Sequence, residues 1–359
     1  MENQEKQENQ NVNQENNIWW KSGQILTYNK TLNFVAGNRG GGKTIEAMRL
    51  VTNCYLKQGK TSIWLRRMDV ELDQTFFGKF FDDPAFTSQF PEYDFKTKKA
   101  KYGGEGALKQ KGTDTYDPYL QFMCLSTALK HKSIPFPNVK YIIFDEFIID
   151  KKSNMRYLKN EVFVFLELLQ SVMRLRDDVR VIFLGNSISQ INPYFAWLNI
   201  RRINDDKEFY IGKNYALQYF KNTEYTKRLH ESRFGQLVDG TQYGSYAVDN
   251  KFFRDDNSFV EKKPPNAQYW FGLKYDDNYI SVWQDSKNLL YYIHYSIDKQ
   301  GLIFAVTTDD HSVDTSLISR VSKAFPVKCL LDMYDKGRVR FETFNVKSIF
   351  YDIIYLLNY

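Results

Sequence analysis

The chain has 359 residues, 43% of them hydrophobic and 16% aromatic, enough for two domains with real cores. A net charge of +6 suits a polyanionic partner but is too mild to identify a nucleic-acid binder. Its three cysteines, Cys54, Cys124 and Cys329, form no C-x-x-C pair, its four histidines lack metal-ligand spacing, and no apolar stretch reaches spanning length, which argues against a disulfide framework, a zinc site and a membrane span.

Residues 1–17 are almost all Asn, Gln, Glu and Lys and cannot bury enough apolar area to offset chain entropy, so they read as a disordered tail. No secretory signal opens the chain, and we expect a soluble intracellular protein. Residues 18–226 then read as one domain. An apolar run at 32–36 predicts a short buried strand, and apolar positions at helical spacing predict a helix near 43–57. Between them stand Gly37, Asn38, Arg39, Gly40, Gly41, Gly42, Lys43 and Thr44, a complete G-x-x-x-x-G-K-[ST] phosphate loop. Its free N–H groups would cradle a nucleotide's phosphates, Lys43 would reach the β/γ-phosphates and Thr44 would offer a hydroxyl to Mg²⁺.

A strand at 62–65 follows, ending in Arg66 and Arg67. The stretch 92–121, rich in Lys, Gly, Asp and Thr, reads as an inserted hairpin or lid. Its Lys96, Lys98, Lys99, Lys101, Lys109 and Lys111 suit either sequence-independent contact with DNA phosphates or an ordinary solvated hairpin.

The strand at 141–144 runs into Asp145 and Glu146, the Walker B form. Asp145 would hold Mg²⁺ and Glu146 would polarise the attacking water, which favours a hydrolysing NTPase over a kinase. An apolar helix near 160–173 ends at Arg174 and Arg176. Arg174 suits either a transition-state finger or a helix-end cation offsetting the dipole. The strand at 181–184 leads to Asn186, placed either to sense the γ-phosphate or to start a turn. Alternating strands and helices predict a mainly parallel sheet flanked by helices.

Residues 227–257 are mixed polar and helical-looking and read as a linker. From 258 to 359 we expect a second, smaller α+β or α/β domain, with strands at 269–274, 279–283, 289–295 and 303–307 and helices near 312–324 and 345–357.

Taken together, NFVAGNRGGGKT, YIIFDEF, SVMRLRDDVR, LGNS followed by NPYF, and RFGQLVDGTQYG resemble the DNA-packaging ATPase of phi-29-type short-tailed bacteriophages, in order from about residue 25 to about 260 and more faintly through 269–310. The resemblance implies an additional-strand, catalytic-glutamate (ASCE) P-loop ATPase using ATP and Mg²⁺. It implies a ring of copies, a pentamer, at the portal (connector) vertex of a prohead, driving double-stranded DNA inward. It also implies host-cytoplasmic location, absence from the mature virion, no membrane, and a prohead RNA partner as an open question. Carried over by position, Gly37, Gly42, Lys43 and Thr44 match the loop and Asp145 and Glu146 the Walker B pair. Arg174 matches a trans-acting finger, Lys132 a second trans-acting cation, and Arg66 a lid-like site near the nucleotide.

The second domain resembles the RNase H-like nuclease domain of large terminases in outline. Leu273 and Lys274 stand where a metal-binding Asp is expected, and Asp309 and Asp310 remain as an isolated pair. We therefore read a vestigial nuclease. Two other readings stand beside the translocating ring: an active terminase nuclease-ATPase, and a nucleotide-gated scaffold that binds portal or RNA.

Overall fold

The computed structural model describes residues 19–37, 39–131, 136–149, 155–186, 192–198, 200, 207–241, 259–275, 278–295, 301–318 and 325–357. Asn38, Lys132, the expected tail and most of the expected linker therefore lie outside the described residues. The chain divides into two compact units, Met1–Ser189 with Ile203–Phe253, and Gln190–Arg202 with Arg254–Tyr359.

In the first unit, the short helix α1 (Ser22–Leu26) leads to strand β1 (Leu32–Gly37), helix α2 (Lys43–Gln58) and strand β2 (Thr61–Arg66). Two short helices, α3 (Gln74–Lys79) and α4 (Pro84–Thr87), precede strands β3 (Tyr93–Ala100), β4 (Gly103–Gln110) and β5 (Asp117–Cys124). Then come β6 (Val139–Asp145), helix α5 (Glu161–Met173) and β7 (Arg180–Asn186). Among the described residues the sheet has nine strands in the order β3-β4-β5-β2-β6-β7-β1-β9-β8, with β8 at Phe209–Ile211 and β9 at Tyr215–Phe220.

From β5 to β9 every pairing is parallel. β7 lies between the phosphate-loop strand and the Walker B strand, which is the additional-strand arrangement. Strands of this kind need cover on both faces. Val35, Trp64, Ile143 and Ile182 pack on one side with Ala47, Met48 and Val51 of α2. On the other, Phe34 stacks on Phe183 at 4.2 Å and Phe165 of α5 meets Phe183 at 5.1 Å.

The stretch 92–121 is not a lid. β5 pairs in parallel with β2, and β3 and β4 extend the same sheet by antiparallel pairing. Two of the stretch's glycines make room for aromatic rings. A Cβ on Gly104 would lie 2.5 Å from the Phe77 ring, and one on Gly106 3.2 Å from Phe81. Phe122 of β5 sits within 4.7–5.5 Å of the Phe76, Phe77 and Phe80 rings.

After β9 come α7 (Thr223–Glu231) and α8 (Arg233–Val238); α6 (Pro193–Trp197) falls in the second unit. That unit also holds β10 (Gln268–Tyr275), β11 (Asn278–Asp285), β12 (Leu290–His294), β13 (Ile303–Ala305), β14 (Ser316–Leu317) and β15 (Val339–Phe341). Helices α9 (Phe325–Asp335) and α10 (Phe344–Leu356) cover one face of this sheet. β10, β11 and β12 are antiparallel, β13 joins β10 in parallel and β14 joins β13 in parallel. The helix expected near 312–324 is absent from its described part. Residues 311–315 turn, and Ser316 and Leu317 pair with Phe304 and Ala305. A cross-strand contact of that kind is invisible to local periodicity.

Because Phe122 is buried in this aromatic cluster, Phe122→Ala should cost about 3–5 kcal/mol of stability in urea unfolding. A loss below about 1 kcal/mol would mean that the region hangs outside the core.

Candidate functional site

The parallel register brings the motif ends together. Gly37 is level with Asn186 on one side and Phe220 on the other, and Asp145 is level with Leu184. Arg66 ends β2 one residue beyond the Leu65–Phe144 pairing. Loop, carboxylates and Asn186 therefore share the carboxyl edge of one sheet, where open α/β sheets bind ligands.

Gly40 and Gly42 adopt φ of +73° and +75°, angles that side chains resist, and Gly42 caps α2. Gly37 passes so close to β9 that a Cβ there would lie 2.6 Å from the Phe220 carbonyl oxygen. Lys43 is buried; its Nζ donates to the Gly37 carbonyl at 3.1 Å and reaches Asn186 Oδ1 at 3.4 Å. Burial pulls its pKa down to about 8, opposed by Asp145 and reinforced by Arg39. Thr44 and Arg39 are exposed. Residues preceding the loop brace it from behind. Trp20 N donates to the Gly41 carbonyl at 3.0 Å, and Ser22 donates through N and Oγ to Glu46 Oε1.

Asp145 is buried, and burial pushes its carboxyl pKa up, with Arg66 and Lys43 opposing and Glu146 adding to the rise. Glu146 is 57% exposed at its side chain and holds φ +58°. Arg66 reaches Glu146 Oε2 at 3.1 Å, Asp145 Oδ2 at 3.8 Å and Glu71 Oε1 at 3.8 Å, and its Nε has no hydrogen-bond partner among the described residues. Arg66 thus faces the two Walker B carboxylates.

Arg174 caps the end of α5 with φ +50°, exposed, with no ion pair or side-chain hydrogen bond among the described residues. Arg176 is different: it donates to the Phe136, Pro137 and Val139 carbonyls and tacks the helix end to the entry of β6. Lys96, Lys98, Lys99 and Lys101 lie on or just past the edge strand β3, away from the phosphate loop. Lys96 rests 3.9 Å over the Tyr116 ring, whereas Lys109 pairs with Asp94.

Glu71, and the partner of the already noted Arg67, were not read from the sequence. Glu71 joins the Arg66 cluster from the turn after β2. Arg67 is 1% exposed and pairs with Glu161 at 2.8 Å. Strand alternation held a usable signal: one of two consecutive arginines at a strand end must face inward and needs a buried acid.

A family model described as Podovirus DNA encapsidation protein (Gp16) matches residues 14–357. The DNA packaging protein of Bacillus phage B103 is 32% identical over 331 residues, covering 92% of this chain and 98% of that protein. That of Bacillus phage phi29 is 30% identical over 338 residues, covering 94% and 97%. The solved bacteriophage Phi-29 viral genome packaging motor assembly contains a chain with a TM-score of 0.72 and 29% identity, covering 95% of this chain and 99% of that one. The chain belongs to the podovirus DNA encapsidation protein family.

Between about 8 and its ordinary 10.5, Lys43 has lost its proton in the folded chain but keeps it in the unfolded one. Its contribution to stability therefore rises with pH across that window and is least favourable below 8. Lys43→Met should stabilise the nucleotide-free chain at pH 7 by up to about 3 kcal/mol and flatten the rise, read by urea unfolding at several pH values. Parallel curves for the two proteins would count against a buried, desolvated Lys43.

Proposed function

On the premise of that membership, we propose that the chain is the ATP-hydrolysing subunit of a ring that drives double-stranded phage DNA into a prohead. The observation that carries this reading is the single sheet edge on which Lys43, Asp145, Glu146 and Asn186 converge. A buried lysine opposite a buried carboxylate is a poor stopping point for two charges. Phosphates and a divalent cation would complete both.

The donor set fits Mg-ATP. Gly40 and Gly42 take the positive φ that lets loop N–H groups turn toward phosphates, Thr44 offers a hydroxyl and Asp145 a carboxylate to Mg²⁺, and bound Mg²⁺ would neutralise charge on the β- and γ-phosphates. Glu146, exposed at the end of a buried strand, orients the attacking water. Asn186, beside Lys43, contacts the γ-phosphate. Arg66 links the carboxylates to the nucleotide. Arg174, rigidly based and unpaired among the described residues, serves the active site of a neighbouring copy, with Lys132 as a second such cation.

The lysines of β3 present positive charge to DNA backbone. In the second unit the described sheet runs β15-β12-β11-β10-β13-β14; its β12-β11-β10-β13-β14 part, three antiparallel strands extended by two parallel ones, supports an RNase H-like ancestry, with β15 an added parallel strand beside β12. Leu273 is buried, and Asp310 accepts from Thr307 N and Oγ1 as a turn cap, which supports the loss of cleavage. The assembly would be a pentamer on the portal in the host cytoplasm, leaving before the virion matures, with prohead RNA as a candidate partner. Among the described residues no helix is long and apolar enough to cross a membrane.

Steady-state ATP hydrolysis per chain should rise with protein concentration and with double-stranded DNA. Glu146→Gln should keep nucleotide binding and lose turnover, and Arg174→Ala should lose about 10³-fold. A flat, DNA-independent rate that survives Arg174→Ala would sink the shared-site ring.

The edge-strand assignment has its own check. Replacing Lys98→Ala and Lys99→Ala together should weaken DNA binding and reduce the slope of log affinity against log salt by roughly two. Unchanged slope and affinity would move the DNA contact elsewhere.

A further inference from the structure

We propose that Arg67 is a positioning residue for Glu146: it fixes the turn that aims the glutamate, and Glu161 holds it in place. The inference rests on the ATPase reading above. Arg66 and Arg67 leave the end of β2 with different tasks. Arg66 meets carboxylates at the open edge, while Arg67 is buried and meets backbone.

Three of its donors are committed. Nε donates to Glu161 Oε2 at 2.8 Å, Nη1 to the Glu146 carbonyl at 3.0 Å and Nη2 to the Phe147 carbonyl at 2.7 Å. The guanidinium lies between the rings of Phe144 at 5.4 Å and Tyr157 at 4.9 Å. Glu161 is itself anchored at the start of α5, where its Oε2 also accepts from Leu158 N at 2.8 Å.

The strained angle gives these bonds their meaning. Glu146 holds φ +58°, a conformation unfavourable for a non-glycine residue that persists only where the surroundings over-determine it. Here they do. Both carbonyls of the turn are taken by Arg67, and Phe147 N donates to the Leu184 carbonyl at 3.1 Å. A buried ion pair whose only task was packing would have no reason to end on the peptide carbonyl of the water-orienting residue. Lysine could match the charge of Glu161 but, as a point donor, could not hold two successive carbonyls in a plane.

The test is Arg67→Lys in the full chain, with wild type and Glu146→Gln measured alongside. The readouts are kcat, KM, and the affinity and stoichiometry of a non-hydrolysable ATP analogue with Mg²⁺. Displacing a catalytic group by about 1 Å costs about 10²-fold, so kcat should fall by that order. Analogue affinity should stay within about threefold, and one analogue should bind per active chain as in wild type; a partly unfolded population would lower that stoichiometry instead. If Arg67→Lys lacks the wild-type unfolding transition, the double variant Arg67→Met with Glu161→Met removes both charges together and carries the same test, with the same loss expected. A folded variant with kcat within about threefold of wild type overturns the inference. So does parallel loss of binding and hydrolysis. Wild-type hydrolysis no faster than that of Glu146→Gln overturns the ATPase reading itself, and this inference with it.

Discussion

The site depends on a charge separation that the sheet imposes. Lys43 at the first turn of α2 and Asp145 at the end of β6 are both held in the interior, and neither group can retreat to water. Burial works against both charges, lowering the lysine and raising the aspartate toward neutrality. Their mutual attraction offsets only part of the lost hydration. On the function proposed above, a polyphosphate with its cation would bring the missing counter-charges to both groups.

Strain marks the turn at that edge and both ends of α5, whose far end lies at the entry of β6. Among the described residues five non-glycine positions have positive φ, and three of them, Glu146, Asn160 and Arg174, mark the Walker B turn and the two ends of α5. The helix between Asn160 and Arg174 is apolar and packed through Phe165, Leu168 and Val172, so it behaves as a stiff strut. Turn, strut and exposed arginine form one mechanical series, joined to the turn by the Arg67–Glu161 pair.

Much of this series was legible in the residues. The phosphate loop, the carboxylate pair and Asn186 each end a short apolar run, and such runs are recognisable because both faces of a parallel strand are covered. Helix α5 showed its core stripe at helical spacing. What stayed hidden was pairing across distance: Arg67 and Glu161 are 94 residues apart. Of the two readings of 92–121, the hairpin is the one found, as β3 and β4, while its place in the main sheet was not foreseen. Its glycines answer to the rings of Phe77 and Phe81, which lie in another element. Strand β9, beside the phosphate-loop strand, was not foreseen, since its place follows from the register with β1 and not from its own composition.

The rims of the two sheets limit how copies of this chain can join. An unpaired strand invites another chain to continue the ladder. Here β8 spans three residues and β14 two, Val260 bridges to β15, and the one long rim, β3, carries Lys96, Lys98 and Lys99. Among the described residues backbone addition is thereby discouraged at each sheet margin, by brevity, by cover or by like-charge repulsion. Any contact between copies of this chain would then fall to side chains, whose separable surfaces leave each copy free to move, as a fused sheet would not.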